Sequence, residues 1–129
     1  MKKFILFLVV ILLAAGVAFA KEYEVKKKTG DYQFEVAIDR NPPIVGSNIM
    51  NIGIKDGSGK PVTDAQVGVN YSMAAMPGMP PMNYNADAVL KGEKYQAALN
   101  LAMSGSWSIA IKMSRGGKST TMRFTVDAR

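Results

Sequence analysis

Along most of the chain apolar and polar residues alternate with period two, and no stretch follows the 3.6-residue period of an amphipathic helix. Tyr32, Phe34, Val36 and Ile38 alternate with Gln33, Glu35 and Ala37, predicting a strand that ends at Asn41-Pro42-Pro43. A second strand is predicted over 47–55, with Ile52 and Ile54 on one face, and Asp56-Gly57-Ser58-Gly59-Lys60-Pro61 is a concentrated turn signal. Val67, Val69 and Tyr71 predict a third strand, Met73 shares their parity, and a proline-rich loop follows over 76–82. A short strand is expected over 86–90, then a hairpin turn at Lys91-Gly92-Glu93-Lys94 and an alternating run of Tyr95, Ala97, Leu99 and Leu101. Ser104-Gly105-Ser106 turns the chain into Trp107, Ile109, Ile111 and Met113. Arg115-Gly116-Gly117-Lys118 suits a two-residue primed turn before Thr120, Met122, Phe124 and Val126. About seven short strands, each with one apolar and one polar face, predict an all-β, immunoglobulin-like antiparallel β-sandwich without the disulfide.

The N-terminus reads differently. Met1-Lys2-Lys3 precedes an apolar run, and Ala18-Phe19-Ala20 is an A-x-A site before Lys21, so residues 1–20 are expected to be a cleaved signal peptide. The alternative is an uncleaved membrane anchor, since the uncharged stretch 4–20 sits at the short edge of what spans a bilayer. Cleavage would place the protein in the periplasm or outside the cell. Residues 21–30, with the Lys26-Lys27-Lys28 run, are expected to be a charged arm or a frayed first strand, and 31–129 the sandwich domain. A chain of 129 residues leaves room for one domain.

Composition narrows the chemistry sharply. There is no Cys and no His, which excludes disulfides, thiolate metal sites, imidazole ligands and nucleophilic triads. No paired carboxylates or nucleophile–base pair can be picked out, so no enzyme and no small-molecule substrate is predicted. A net charge of +6 without a basic-aromatic pattern argues against nucleic acid. Gly57-Ser58-Gly59-Lys60 fails as a phosphate loop, because Pro61 stands where a hydroxyl residue belongs and no helix follows. Asp56, Asp64 and Asp87 lack calcium-loop spacing.

Nine methionines remain, and four of them recur at every third residue in Met73-Ala74-Ala75-Met76-Pro77-Gly78-Met79-Pro80-Pro81-Met82. In a polyproline II segment the four side chains would line one edge, ~9 Å apart. Alternatively, Pro77-Gly78 fits the centre of a type II turn, which would bring the Cα atoms of Met76 and Met79 within about 7 Å. Thioether sulfur is soft and uncharged and suits copper(I), so Met76, Met79 and Met82 are candidate ligands, with Met73 and Met103 as further donors. The bland reading stands beside this: Met-rich surfaces also serve as adaptable protein contacts. Parity favours core packing for Met73. Trp107, beside Met103, is expected to be the core tryptophan. Met50, Met113 and Met122 are expected in the core or on a sheet face.

The sequence resembles the YtkA-like domain family, and more distantly FixH-type and CopC-type periplasmic modules. The resemblance runs over about 43–126. It rests on Pro43-Ile44-Val45-Gly46-Ser47-Asn48 and on Asp56-Gly57-Ser58-Gly59-Lys60-Pro61-Val62 with Asp64-Ala65-Gln66-Val67. Met76-Pro77-Gly78-Met79, Gly92-Glu93-Lys94-Tyr95 and Met103-Ser104-Gly105-Ser106-Trp107 carry it further. It implies an immunoglobulin-like exported domain near copper handling, oxidase assembly or metal efflux, with a membrane or periplasmic protein as partner. Met76, Met79 and Met103 are the positions it marks. The lack of His departs from copper(II)-binding relatives. The expectation is a copper(I) module that hands metal to, or assists, a membrane partner; the alternative is a metal-free interaction module whose Met/Pro loop is an apolar contact surface.

Overall fold

The computed structural model describes residues 23–129. The expected signal peptide over 1–20 lies outside these residues. Within them the chain is all β, with strands β1 (Tyr23–Thr29), β2 (Tyr32–Ile38), β3 (Gly46–Lys55) and β4 (Gln66–Met73), then β5 (Met82–Lys91), β6 (Lys94–Leu101), β7 (Gly105–Arg115) and β8 (Lys118–Ala128). All pairings are antiparallel, in the order β1-β2-β3-β6-β5-β4-β7-β8. The sheet folds over on itself at β5, which pairs with β4 from Met82 to Ala88 and then with β6 from Val89 to Lys91. One strand therefore serves both layers of the immunoglobulin-like sandwich.

Alternation explains the packing. Phe34, Val36, Ile38, Met50, Ile52 and Ile54 from one layer are buried against Val67, Val69, Ile109, Ile111, Met113 and Met122 of the other. The expected core roles of Met50, Met73, Met113, Met122 and Trp107 hold, with exposures between 0% and 5%. Each such methionine or tryptophan removed from water contributes about 1.5–3 kcal/mol to folding.

Two parts differ from expectation. There are eight strands rather than about seven, because the segment expected as a charged arm or a frayed first strand is the strand β1, which pairs residue by residue with β2 from Tyr23↔Ile38 to Thr29↔Tyr32. Tyr23 and Val25 are half-buried against the core, but Lys27, which shares their face, is exposed, so the apolar alternation breaks off after two positions. Lys27 also helps to close the sandwich: its Nζ donates to the Arg123 carbonyl at 3.0 Å, covering part of the outer edge of β8. The second difference is β5, which starts at Met82 rather than near residue 86. Its free edge leaves Asn83, Tyr84 and Asn85 exposed, and Val89 and Leu90 are both exposed where it changes layers, so its sequence carries little alternation.

Two turns are held by side chains. Asn48, fully buried, accepts from the Ile44 N–H at 2.9 Å and donates to the carbonyls of Ile44 at 2.7 Å and Gly46 at 3.1 Å. It thereby shapes the entry to β3. Replacing Asn48 with Ala should lower stability by about 1–3 kcal/mol in urea unfolding, because the Ile44 polar groups lose their partner. In the β3–β4 connection, Asp56 Oδ1 accepts from the Ser58 hydroxyl at 2.7 Å and from the N–H groups of Ser58 and Lys60 at 2.9 and 3.1 Å. The Ser58 hydroxyl, then the Lys60 amide, holds the Asp56 carboxyl below its ordinary 3.8. A lowered pKa means the turn's contribution is present above 3.8 and fades as pH falls through the lower folded value. The amide resonances of Ser58 and Lys60 should titrate in that acid window, and should not in Asp56→Asn.

Candidate metal centre at the methionine turn

The β2–β3, β4–β5 and β6–β7 connections and the end of β8 all lie at one end of the sandwich, as the pairs Gly46↔Leu101, Met73↔Met82 and Gly105↔Ala128 require. Every candidate ligand is on this end or beside it. The opposite end carries the Asp56, Gly92-Glu93 and Gly116-Gly117 turns.

Between β4 and β5 the chain forms a tight turn. The Met79 N–H donates to the Met76 carbonyl at 2.8 Å, the Met76 N–H donates to the Met79 carbonyl at 3.2 Å, and the two residues form an isolated antiparallel bridge. Gly78 at the third position has φ +80°. That is a type II turn, in which proline presets the second position and glycine takes the positive φ at the third. The polyproline II alternative is not what forms. Residues that exchange both hydrogen bonds have Cα atoms about 5.5 Å apart and side chains on the same face of the ribbon. Met76 and Met79 are therefore neighbours, and both are exposed, at 40% and 39%.

The other candidates are distributed by packing. Met73 and Met82 form the next cross-strand pair, separated from the turn by Ala74-Ala75 on one side and Pro80-Pro81 on the other. Met73 is buried, and its Cε lies 3.1 Å from the point where a Cβ on Gly105 would sit. Gly105, at φ +128°, is thus the residue that leaves room for this methyl group. Met82 is half-buried against the core, at the start of a strand rather than in the loop. Met103 is also half-buried, and its carbonyl accepts from the Trp107 indole N–H at 3.0 Å. The structure brings Met76 together with Met79 and Met73 together with Met82, and it sets Met103 in the adjoining β6–β7 connection.

Beneath this end lies an aromatic cluster that the sequence reading did not single out. The ring centroids of Tyr71 and Tyr84 are 5.5 Å apart, those of Tyr71 and Trp107 5.9 Å, and those of Tyr84 and Trp107 6.2 Å. The signal available was parity: Tyr84 lies two residues after Met82, and the pairs Met73↔Met82 and Tyr71↔Tyr84 share a face. The Tyr71 hydroxyl accepts from the Asn100 N–H at 3.3 Å, tying β4 to β6 where no ladder joins them. Tyr84 is 41% exposed and Val45 42%, so the methionine end presents a partly apolar surface.

Among the described residues no three His, Cys, Asp or Glu side chains converge where a metal ion could sit. The donors concentrated at this end are thioethers, which fit a soft monovalent ion and bind hard divalent ions poorly.

The profile of the YtkA-like family matches residues 26–112, from β1 through β7. The chain belongs to the YtkA-like family. Among solved structures, the chain is similar to the soluble domain of PmoD from Methylocystis sp. ATCC 49242, at 11% identity and a TM-score of 0.53, covering 81% of this chain and 96% of that one. It is also similar to FetP of uropathogenic E. coli strain F11, expressed recombinantly in the E. coli periplasm, at 8% identity and a TM-score of 0.52, covering 83% of this chain and 95% of that one. At such identities the likeness is one of fold. No curated protein matches the sequence.

The turn geometry can be tested alone. An ideal Cβ at Gly78 meets nothing within 4 Å, so Gly78→Ala adds no clash and only the strain of its positive φ. The variant should lose about 1 kcal/mol and should show faster amide exchange at Met76 and Met79, with the core amides unchanged.

Proposed function

We propose that this domain is an exported copper(I)-binding module whose cargo is held at the Met76–Met79 turn and passed to, or used by, a membrane partner. The observation that carries this reading is the mutual hydrogen bonding of Met76 and Met79 across Pro77-Gly78, which sets two exposed thioethers side by side. Copper(I) favours such ligands, and a chain with neither Cys nor His has no softer donor to offer. Two thioethers leave the coordination incomplete. Met82, Met103 and the buried Met73 are the further sulfurs near this end, and a partner's ligands could equally complete the set. An incompletely ligated ion on an exposed turn is easy to take up and to give away. Family membership and an A-x-A leader support export to the periplasm, and neither points to catalysis.

A second reading has its own support. Val45, Met76, Met79 and Tyr84 are each 39–42% exposed at or beside the same end, an apolar grouping suited to protein contact. In that reading the domain is a metal-free interaction module. Leu at Met76 and Met79 would be tolerated, while Asp at Met79 or Met82 would disrupt partner capture.

Anaerobic titration of the 21–129 protein with copper(I) against a competing chelator separates the two. Near-stoichiometric binding is expected, reduced about 100-fold or more in the Met76→Leu/Met79→Leu double variant, whose fold should be intact because Leu conserves volume at exposed positions. Affinity should be nearly flat between about pH 5 and 8, since thioethers carry no proton to displace. Unchanged affinity in the double variant would exclude this turn as the site.

A further inference from the structure

We propose that Met76 and Met79 form a reversible methionine-sulfoxide site, oxidised ahead of the other methionines among the described residues by a peroxide or hypohalous acid without loss of the fold. The argument starts from how the fold distributes its sulfur. Met50, Met73, Met113 and Met122 are between 0% and 5% exposed, and Met82 and Met103 are half-buried against the core. Met76 and Met79, at 40% and 39%, are the two methionines among the described residues whose side chains are exposed to solvent. Susceptibility to oxidation follows access, so the turn reacts first.

The step balances simply. With hydrogen peroxide, the thioether sulfur gives two electrons, the O–O bond breaks, one oxygen bonds to sulfur, and the other leaves as water. The product is a polar sulfoxide whose exposed donor is a hard oxygen. In a core this change would break packing. Here the pair stands beyond the ends of β4 and β5, its backbone hydrogen bonds engage only amides and carbonyls, and neither side chain belongs to the buried core. The modification therefore alters the surface of the turn while leaving what holds it. Methionine sulfoxide reductases, one for each epimer, would restore it by drawing two electrons and two protons from a dithiol, which becomes a disulfide while the sulfoxide oxygen leaves as water. Its effect on metal rests on the copper(I) reading: the sulfoxide removes the soft donors, and a bound soft ion occupies the lone pairs an oxidant needs.

The experiment treats metal-free 21–129 protein with limiting hydrogen peroxide and maps oxygen addition by peptide mass spectrometry. Expected are additions at Met76 and Met79 at least about tenfold faster than at any other methionine, reversal by the reductases, and an almost unchanged melting temperature. Equal rates at Met82, Met103 or the buried four would overturn the proposal, as would unfolding when only the pair is oxidised. In Met76→Leu/Met79→Leu the fast phase should vanish, and a persisting fast phase would also overturn it. Silver(I), a redox-inert probe for the same donors, should slow the fast phase, and oxidised protein should bind copper(I) about 100-fold more weakly. If untreated protein binds neither ion, the copper reading fails while the modification stands on the metal-free mapping. If oxidised protein binds as tightly as untreated protein, the link between the two is overturned.

Discussion

The indole of Trp107 is fully buried, and a buried N–H must find an acceptor. It finds the Met103 carbonyl at 3.0 Å, four residues back, and that bond sets the path of the β6–β7 connection. Much of the methionine end takes its place from there. Gly105 lies between Met103 and Trp107, beside the methyl of Met73. Tyr71 and Tyr84 pack around the indole from β4 and β5. The β4–β5 hairpin is anchored on this cluster, and the exposed turn at its tip is a short continuation of an anchored ladder. A tip held in that way presents its two side chains from a fixed backbone, which would lower the entropy lost in the proposed sharing of one ligand.

Most of the fold was legible because the sandwich buries one face of nearly every strand. Phe34-Val36-Ile38 and Trp107-Ile109-Ile111-Met113 show that period directly, and both are buried throughout. The pattern fails where a strand is not buried on one side. β1 stands at an edge with an outer row of charges, so only Tyr23 and Val25 mark its inner face. β5 belongs to two layers in succession, and its exposed Val89 and Leu90 obey neither. A strand's change of layer is decided by the partners on both sides, which are distant in sequence. The resemblance over about 43–126 found the family, while the profile match extends back to residue 26, into β1.

At the candidate site, the backbone was legible and the side-chain company was not. Pro77-Gly78 announces a type II turn through local sterics alone, since proline fixes one φ and glycine tolerates the other. The fate of the flanking methionines depends on register. Met73 and Met82 face each other as a pair because β4 and β5 pair in that frame, and the core then claims Met73. The three-residue spacing left open a polyproline II row of four sulfurs or a type II turn pairing Met76 with Met79, and the turn is what forms. The structure makes two pairs of different character, one toward the core and one toward solvent.

That division explains how one residue type can do two jobs in a chain with neither Cys nor His. Buried methionine fills irregular space and is protected by exclusion of water. Exposed methionine keeps a polarizable, uncharged lone pair available, at the cost of exposing apolar surface. The turn limits that cost to two side chains, surrounded by prolines that add no backbone donor at positions 77, 80 and 81. Because the exposed pair carries no packing, its chemistry can change, by ligation or by oxidation, without drawing on the stability of the core. The surface proposed to meet a metal or a partner is therefore the part of the sandwich that folding depends on least.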